Sequence, residues 1–465
     1  MNWHRLARSR APLSALFGLG VATGLLLGQL ASPAASRAQD DDAAQIEMVV
    51  GLLKGDDRDM RALALQYVRG ELAGEKATRQ FAAILPDLAP DAQAVLIEAL
   101  GERGDATARA DVLKMLESET AAVRAAALGA LGALGGADDV PLLAKHAAEG
   151  SEAEKSAAQK ALKRLRGDGV DDAILAALKD AEPARKAALL GVLAARNARQ
   201  ALPDVFAAAA DADGAVRLAA LGALRLLADE SNTADVVATL KAATNESERA
   251  KAELALLVVC SRGREACVDA LVEGLSDADA KSQAALLRAL GRAGGTKALE
   301  AIVQRIGADD ETVRDEAVRI LSIWNDPAAM AHLVALAEKA EEPRHQVLAV
   351  RGMIQLAAAA GERPADVAAL TKALALAKRL DEKRLAVAAL SGAPTAEALA
   401  VVSPLLGDAQ LGEEAALAAV LIAEKMPREL KDQAKAALEQ VVAKTKRDAT
   451  RQRAEKAIQS LDKES

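Results

Sequence analysis

Two cysteines are the side chains of this sequence best suited to covalent chemistry. Cys260 and Cys267 are its only cysteines, and six residues separate them in the segment VVCSRGREACVD. A turn between two helices can bring two Cα atoms within the range that a disulfide requires. The spacing matches neither a zinc site nor a thioredoxin motif, and no histidine is near in sequence to activate a catalytic thiol. We therefore predict a disulfide, with two free buried thiols as the alternative.

The histidines and carboxylates form no catalytic or metal-binding motif. Beyond Ala38 the histidines are His146, His332 and His345, which are widely spaced, and none is followed by glutamate. Carboxylates are plentiful but fall in turns and on polar helix faces, where they usually meet solvent. Glycine-rich phosphate loops and nucleophile elbows are absent from suitable contexts. The sequence therefore predicts no catalytic residue, no cofactor and no metal, and a protein that is not an enzyme.

One tryptophan is expected to lie near several arginines. Trp324 follows an apolar segment in RILSIWNDPAAM and is the one large aromatic side chain of the later part of the sequence. If it faces a concave surface formed by its own helix and the neighbouring helices, arginines of those helices lie close to it, namely Arg288, Arg292, Arg319 and Arg351. Tryptophan and arginine dominate the binding energy of protein interfaces, so these five residues are the predicted protein-binding site. The alternative is that Trp324 fills a packing gap between its helix and the next turn.

A repeat runs through most of the sequence and must position these residues. Segments such as ETAAVRAAALGALGALG and DDETVRDEAVRILSIWND begin with an acid, carry a basic or polar residue about four positions later, and continue as an apolar stretch. That basic or polar residue recurs at nearly constant intervals, at Arg61, Gln93, Arg124, Lys155, Arg185, Arg217, Arg249, Lys281, Arg314 and Gln346. A register kept over so many periods indicates an internal repeat.

Each period also contains another helical segment, which lies between the marked ones. DVPLLAKHAAEG and TKALEAIVQRIGAD are examples, and no stretch shows the alternation of a β-strand. Aspartate and serine in the turns suit helix N-caps, and glycines such as Gly294 and Gly295 suit helix ends. The predicted fold class is therefore all-α, built from helix–turn–helix units.

The acid and the arginine of each unit recur together. We predict that they form a structural ladder, in which the acid caps a helix and contacts the arginine of its own or the next unit. The predicted ladder arginines are Arg124, Arg217, Arg249 and Arg314. The alternative is that the same residues form a binding stripe on the surface.

The repeat resembles the HEAT repeat in its short bacterial form, also called the PBS-lyase-like repeat. The resemblance rests on the pattern D-x-x-V-R-x-x-A-x-x-A-L-x-x-L, which begins at Asp213 and recurs around Arg124 and Arg314. It covers roughly residues 43–465 and becomes less regular after residue 346. It implies a right-handed α-solenoid of about a dozen helix pairs, with the second helix of each pair on the concave face.

The resemblance also suggests what the protein does. Deoxyhypusine hydroxylase, an enzyme built on such repeats, holds two irons through His-Glu pairs, and this sequence has no His-Glu dipeptide. Phycobilin lyases share the repeat, but the repeat alone identifies no lyase residue here. The leading hypothesis is a non-catalytic scaffold or adaptor that binds a protein partner along the concave face. The alternative is a PBS-lyase-like enzyme, or a lyase-type chaperone that acts on a cofactor-bearing protein.

Composition limits the class of partner. The formal net charge is −8, and aromatic residues make up 1% of the sequence. Nucleic acids require basic tracts that replace counterions, and single strands also require aromatic stacking platforms. The sequence therefore predicts a protein partner rather than a nucleic acid, and we expect a monomer.

The N-terminal segment, residues 1–38, has the features of a signal peptide. A basic start, MNWHRLARSR, precedes an uncharged run over residues 11–31, and Ser36 and Ala38 are small residues that a signal peptidase recognises. We predict cleavage after Ala38 and a location in the periplasm or outside the cell. Because the run is about long enough to span a bilayer, an uncleaved inner-membrane anchor is the alternative. The mature chain would then contain repeats over residues 43–427 and a polar cap over residues 428–465.

Overall fold

A computed structural model describes residues 33–359 and 363–463 of the chain, with side chains over residues 43–359 and 363–462. Throughout these ranges the chain forms α-helices joined by short turns, some of which contain a turn of 3₁₀-helix. The described ranges contain no β-strand. The predicted all-α fold is therefore confirmed.

The α-helices form two series that alternate along the chain, named here the odd helices and the even helices. The odd helices are α1 (Pro33–Lys54), α3 (Glu75–Ala83), α5 (Arg109–Lys114), α7 (Val140–Glu149), α9 (Val170–Lys179), α11 (Leu202–Ala208), α13 (Thr233–Lys241), α15 (Val268–Gly274), α17 (Thr296–Arg305), α19 (Met330–Lys339), α21 (Val367–Leu376), α23 (Ala396–Val402) and α25 (Lys431–Lys444). The even helices are α2 (Arg58–Gln66), α4 (Pro90–Arg103), α6 (Ala121–Leu134), α8 (Glu152–Arg164), α10 (Pro183–Ala195), α12 (Gly214–Leu227), α14 (Glu246–Gly263), α16 (Ala280–Ala293), α18 (Glu311–Ser322), α20 (Pro343–Ala357), α22 (Leu380–Leu390), α24 (Gly412–Ala423) and α26 (Asp448–Lys463).

The marked residues of the repeat all lie near the starts of even helices. Polar side chains in the preceding turns accept hydrogen bonds from the first free amides of these helices, among them Ser151, Asp213 and Asp310. In most even helices the marked residue is the fourth residue after the N-cap. In α10 and α16 the fourth residue is instead Lys186 and Gln283, one and two residues beyond Arg185 and Lys281, the positions inferred from sequence. The N-caps of these two helices therefore set the register.

Small residues allow consecutive even helices to pack closely side by side. A Cβ atom at Gly101 would lie 2.9 Å from the Cα of Ala130, and one at Gly132 would lie 2.8 Å from the Cα of Ala161. Between the odd and even layers, the buried apolar side chains form one continuous core that runs from Ile46 to Ala454. The alanine-rich composition thus supports many close helix contacts rather than a bulky core.

Two predicted boundaries lie near the ends of the chain, namely the cleavage site after Ala38 and the start of the polar cap at residue 428. Residues 1–32, with the basic and apolar parts of the predicted signal peptide, lie outside the described residues, and the predicted cleavage site after Ala38 falls within α1. None of the described helices has both the length and the apolarity that crossing a bilayer requires. At the other end, α25 and α26 continue the alternation through the segment predicted to be a polar cap.

Candidate protein-binding site

Arginine side chains cross the boundaries between even helices near their N-termini. Arg124 Nε donates to Glu154 Oε1 at 2.6 Å, and Arg217 donates to Glu248 Oε1 from both Nε and Nη2, at 3.0 and 2.8 Å. The other two predicted ladder residues make longer contacts. Arg249 Nη2 lies 3.4 Å from the carboxylate of Asp279, and Arg314 Nη2 lies 3.4 Å from that of Glu342.

The acids of the two short contacts are buried and remain charged to low pH. Glu154 and Glu248 are nearly inaccessible to solvent. The hydrogen bond from Arg124 lowers the pKa of Glu154 to about 2, and the hydrogen bond from Arg217 lowers the pKa of Glu248 to about 2. These guanidinium groups are therefore bound within the solenoid and are not free to contact a partner.

Cys260 lies in the last turn of α14, and Cys267 directly precedes α15. Both are buried free thiols in the structure, so the disulfide stays a prediction. Burial, followed by the neighbouring Cys267, raises the pKa of the Cys260 thiol well above its usual value. Because the thiolate is the reactive form, Cys260 is poorly suited to nucleophilic chemistry in this state.

Two histidines on consecutive helices, α19 and α20, line the same cavity. His332 and His345 line a cavity of about 820 Å³ beside α18, α19 and α20. His345 Nε2 lies 2.8 Å from Asp315 Oδ1, and with Glu342 these residues place three potential metal ligands within 4.8 Å of one another. Sequence spacing did not reveal this group, because the contact crosses a unit boundary.

The carboxylates of this histidine group already form ion pairs with arginine side chains. Arg344 Nε lies 2.6 Å from Glu342 Oε2, and Arg344 Nη1 lies 2.9 Å from Asp315 Oδ2. The hydrogen bond from Arg344 also lowers the pKa of Glu342. A cation would have to displace this guanidinium, so we interpret the group as an ion-pair network between α18 and α20.

Four of the five residues predicted to bind a partner line one groove. Trp324, Arg288, Arg292 and Arg319 surround a space of about 660 Å³ where α14, α16 and α18 end. We call this space the Trp324 groove. The fifth residue, Arg351, lies outside it, and its Nη2 atom is 2.8 Å from the carboxylate of Glu382 on α22.

The groove contains arginines in two states. Arg288 is bound to Glu253 at 2.8 Å and to Glu316 at 3.3 Å, and Arg319 also contacts Glu316. Arg292 and Arg264, the latter in the turn after α14, are both exposed and form no ion pair with any described residue. Two cations of the groove are therefore free to bind an anionic group.

Apolar side chains form the floor and rim of the Trp324 groove. Trp324 is partly buried, packs against the core and lines the groove. Ile323 is 57% exposed, which is high for a large apolar residue. Gly291 lets α16 approach α18, since a Cβ atom there would lie 2.8 Å from the Ile320 side chain.

Sequence reasoning missed Arg264 and Ile323 as residues of the groove. Arg264 has φ 50° and ψ -127°, a backbone conformation that normally requires glycine. Strained positions of this kind concentrate at functional sites. No sequence signal indicates this conformation, because a turn residue shows its dihedral angles only once the flanking helices are placed.

Comparisons with known proteins support the fold. Two crystal structures of the karyopherin Kap121p, bound to the SUMO protease Ulp1p and to Ste12p, give TM-scores of 0.51 and 0.52 at 14% sequence identity. Both alignments cover 91% of this chain and 54% of the karyopherin chain, so this chain spans about half the length of Kap121p. The curated proteins contain no significant match.

The family comparison agrees with the sequence resemblance. A family model described as HEAT repeats matches residues 78–163 and 268–353. The first match includes α4 to α7, and the second includes α15 to α19 and the residues of the Trp324 groove that follow α15. Residues 78–163 and 268–353 therefore match HEAT repeats, and they lie in an all-α solenoid of alternating odd and even helices.

Proposed function

We propose that this protein is a non-catalytic scaffold that holds a protein partner at the Trp324 groove. The observation that carries the proposal is the combination of exposed Ile323, partly buried Trp324 and two unpaired arginines, Arg264 and Arg292, around one space in the described part of the chain. Interfaces are enriched in aromatic and arginine side chains whose binding energy is concentrated in a few residues.

The position of the groove refines the sequence-based hypothesis. That hypothesis assigned the partner to the concave face of the solenoid, whereas the groove lies where the even helices end. We therefore propose the C-terminal edge of the even layer as the docking surface. The Kap121p structures of similar fold were solved with Ulp1p and Ste12p bound, which supports a binding role by analogy of fold.

The residues of the groove support binding rather than catalysis. Its lining residues include one carboxylate, Asp326, and neither a histidine nor a cysteine. General acid–base catalysis needs a group that titrates near the working pH, and arginine remains protonated. We accordingly propose no reaction at this site.

We also propose that the protein is exported, because residues 1–38 have the order of features of a signal peptide. N-terminal sequencing of the chain from its native cells tests this. A mature chain that begins at Gln39 is expected, and an intact start at Met1 in the membrane fraction would instead support an anchor formed by residues 11–31.

The binding proposal is tested by affinity capture from native extracts with the full chain and two variants. Trp324→Ala removes the aromatic side chain of the groove, and Leu385→Ala removes an exposed apolar side chain of α22 as a matched control. The expected result is one protein retained in near-equal amount by the wild type and by Leu385→Ala, and lost with Trp324→Ala. Equal retention by all three, or by none, would contradict the proposal.

A further inference from the structure

The even helices end in a series of exposed basic side chains. Lys163 and Arg164 lie in the last turn of α8, and the last turns of α12, α14 and α16 contain Arg225, Arg262 and Arg292. Because even helices are parallel neighbours, their last turns share one edge of the solenoid. We call this row, which also includes Arg166 and Arg264 in the turns after α8 and α14, the basic edge.

Acids also lie on this surface, among them Glu265 beside Arg264 and Asp171, which pairs with Arg196 at the end of α10, but they do not pair with the basic edge. None of its seven residues forms an ion pair in the part of the chain that the structure describes, and all are exposed. At the opposite ends of the even helices, by contrast, arginines such as Arg124 and Arg217 are bound to buried carboxylates. Cations at helix C-termini also offset the helix dipole, an effect that applies to Lys163 and Arg164 in the last turn of α8 but less to Arg166, which lies beyond it.

A second cavity lies on this edge at the end of α8. Its volume is about 610 Å³, and Lys163, Arg164 and Arg166 line it beside Gly101 and Gly132. It lies where three consecutive even helices end, α4, α6 and α8, as the Trp324 groove lies where α14, α16 and α18 end. We call it the Lys163 cavity. The two cavities are therefore equivalent positions of the solenoid, joined by the basic edge.

We propose that the partner contributes one extended acidic segment, which lies along the basic edge from the Lys163 cavity to the Trp324 groove. This inference rests on the proposed function, since it names the chemistry of the partner that the groove binds. The edge spans five steps from α8 to α18. At about 9 Å between neighbouring helices it is about 45 Å long, which an extended peptide covers with about 14 residues.

The basic edge also indicates that the acidic segment of the partner contains apolar side chains. Leu226 beside Arg225 is 44% exposed, and Ile323 in the Trp324 groove is 57% exposed. Exposed aliphatic side chains among arginines fit a polypeptide in which acidic and apolar residues are mixed. A single-stranded nucleic acid would instead need a series of aromatic side chains for its bases, and Trp324 is the aromatic residue of this edge.

The probes that test this proposal are three fluorescein-labelled ligands and the full chain. The first is a peptide of about 14 residues of glutamate, leucine and glycine, and the second has lysine in place of each glutamate. The third is oligothymidine of about the same number of units. Fluorescence anisotropy is expected to show binding of the glutamate peptide that weakens with salt, and much weaker binding of the other two.

Charge-reversal variants test whether both ends of the edge contribute. Lys163→Glu with Arg166→Glu changes the Lys163 cavity, and Arg264→Glu with Arg292→Glu changes the Trp324 groove. Lys145→Glu with Lys251→Glu is the matched control, because both lysines are exposed and lie off the edge. Each end variant is expected to weaken binding of the glutamate peptide about tenfold, and the control variant is expected to weaken it less than about twofold.

The length of the peptide supplies a further check. A peptide of about half the length reaches only one cavity, so it is expected to bind more than about tenfold more weakly and to respond to one end variant.

The outcomes separate this inference from the proposed function. If Trp324→Ala abolishes capture of the partner but the glutamate peptide does not bind, or ignores the Lys163 cavity, the scaffold role stands and the acidic segment is excluded. Tighter binding of oligothymidine than of the glutamate peptide would also overturn the inference, in favour of nucleic acid.

Discussion

Arg124 on α6 donates to the carboxylate of Glu154 on α8 at 2.6 Å, and its Nη1 atom donates to the backbone carbonyl oxygen of Ser118 at 2.8 Å. One side chain therefore joins its own helix, the end of the preceding helix segment and the next even helix. Arg217 makes the equivalent contact with Glu248. The stability of a solenoid depends on such contacts, because each unit packs only on its neighbours.

Removal of one guanidinium group should leave a buried carboxylate without its partner. We expect Arg217→Met to lower the free energy of unfolding by about 3 kcal/mol, because Glu248 is buried and its charge would be uncompensated. Urea denaturation followed by circular dichroism measures the change. Arg79→Met is the control, since Arg79 and Glu75 form an exposed pair on α3, and we expect a loss of less than about 0.5 kcal/mol. Equal losses of unfolding free energy in the two variants would show that burial of Glu248 does not increase the stabilisation by its ion pair.

The same acids should make stability depend on pH. The pKa values of Glu154 and Glu248 are lowered in the fold from 4.5 to about 2, so the folded state binds fewer protons than the unfolded state. Their contribution is present above the unfolded pKa and is lost as pH falls from about 5 to about 2. We expect the urea midpoint to fall over this range, and Glu248→Gln to flatten the fall. An unchanged pH profile in the variant would contradict the assignment.

Two glycines of α6 should respond to alanine in opposite ways. A Cβ atom at Gly132 would lie 2.8 Å from the Cα of Ala161, whereas no atom lies within 4 Å of one at Gly129. We expect Gly132→Ala to destabilise the fold by about 1–3 kcal/mol through overpacking. Gly129→Ala should stabilise it by about 0.5–1 kcal/mol, because alanine favours the helix. Thermal denaturation of both variants compares them, and the same sign of change in both would disprove close packing of α6 on α8.

The repeat made the helices and their order predictable from sequence. A polar or basic residue at nearly constant intervals located the start of each even helix from Arg61 to Gln346, because amphipathic helices must return to the same neighbours. The register was displaced only at α10 and α16, where the N-cap sets the position and not the charged residue. Neighbours in space that repeat with the period, such as Trp324 and Arg292, were likewise predictable.

Features that do not follow the period were not predictable. His332 and His345 share a cavity although neither occupies a repeated position, and Arg264 enters the Trp324 groove from a strained turn. The basic edge was missed for another reason. The sequence gives the position of Arg225 along its helix. Whether Arg225 forms an ion pair depends on the carboxylates that neighbouring helices bring near it in the fold.

The two cysteines should be unreactive in the native protein. Both thiols are buried, which limits access of a reagent, and burial also raises the pKa of the Cys260 thiol, so little Cys260 thiolate is present at neutral pH. We expect labelling by iodoacetamide at pH 8 to be at least about tenfold slower in the native protein than in urea. Mass spectrometry of the protein isolated without reductant distinguishes the alternative, since a disulfide would lower the mass by two hydrogens and prevent labelling even in urea.

Arg264 should weaken the fold while it strengthens binding. Its φ of 50° with ψ of -127° costs an L-residue about 1–3 kcal/mol, and glycine would remove that cost. Arg264→Gly is therefore expected to raise the free energy of unfolding by about 1 kcal/mol and to weaken binding of the acidic peptide about threefold. Asn197→Gly is the control, because Asn197 also has positive φ, at 56°, but lies away from the Trp324 groove. It should change stability by less than about 0.5 kcal/mol, since asparagine tolerates this conformation, and should leave binding unaltered. A gain in stability with unchanged peptide binding in Arg264→Gly would show that the strained turn serves no partner, and that the cation at this position is dispensable.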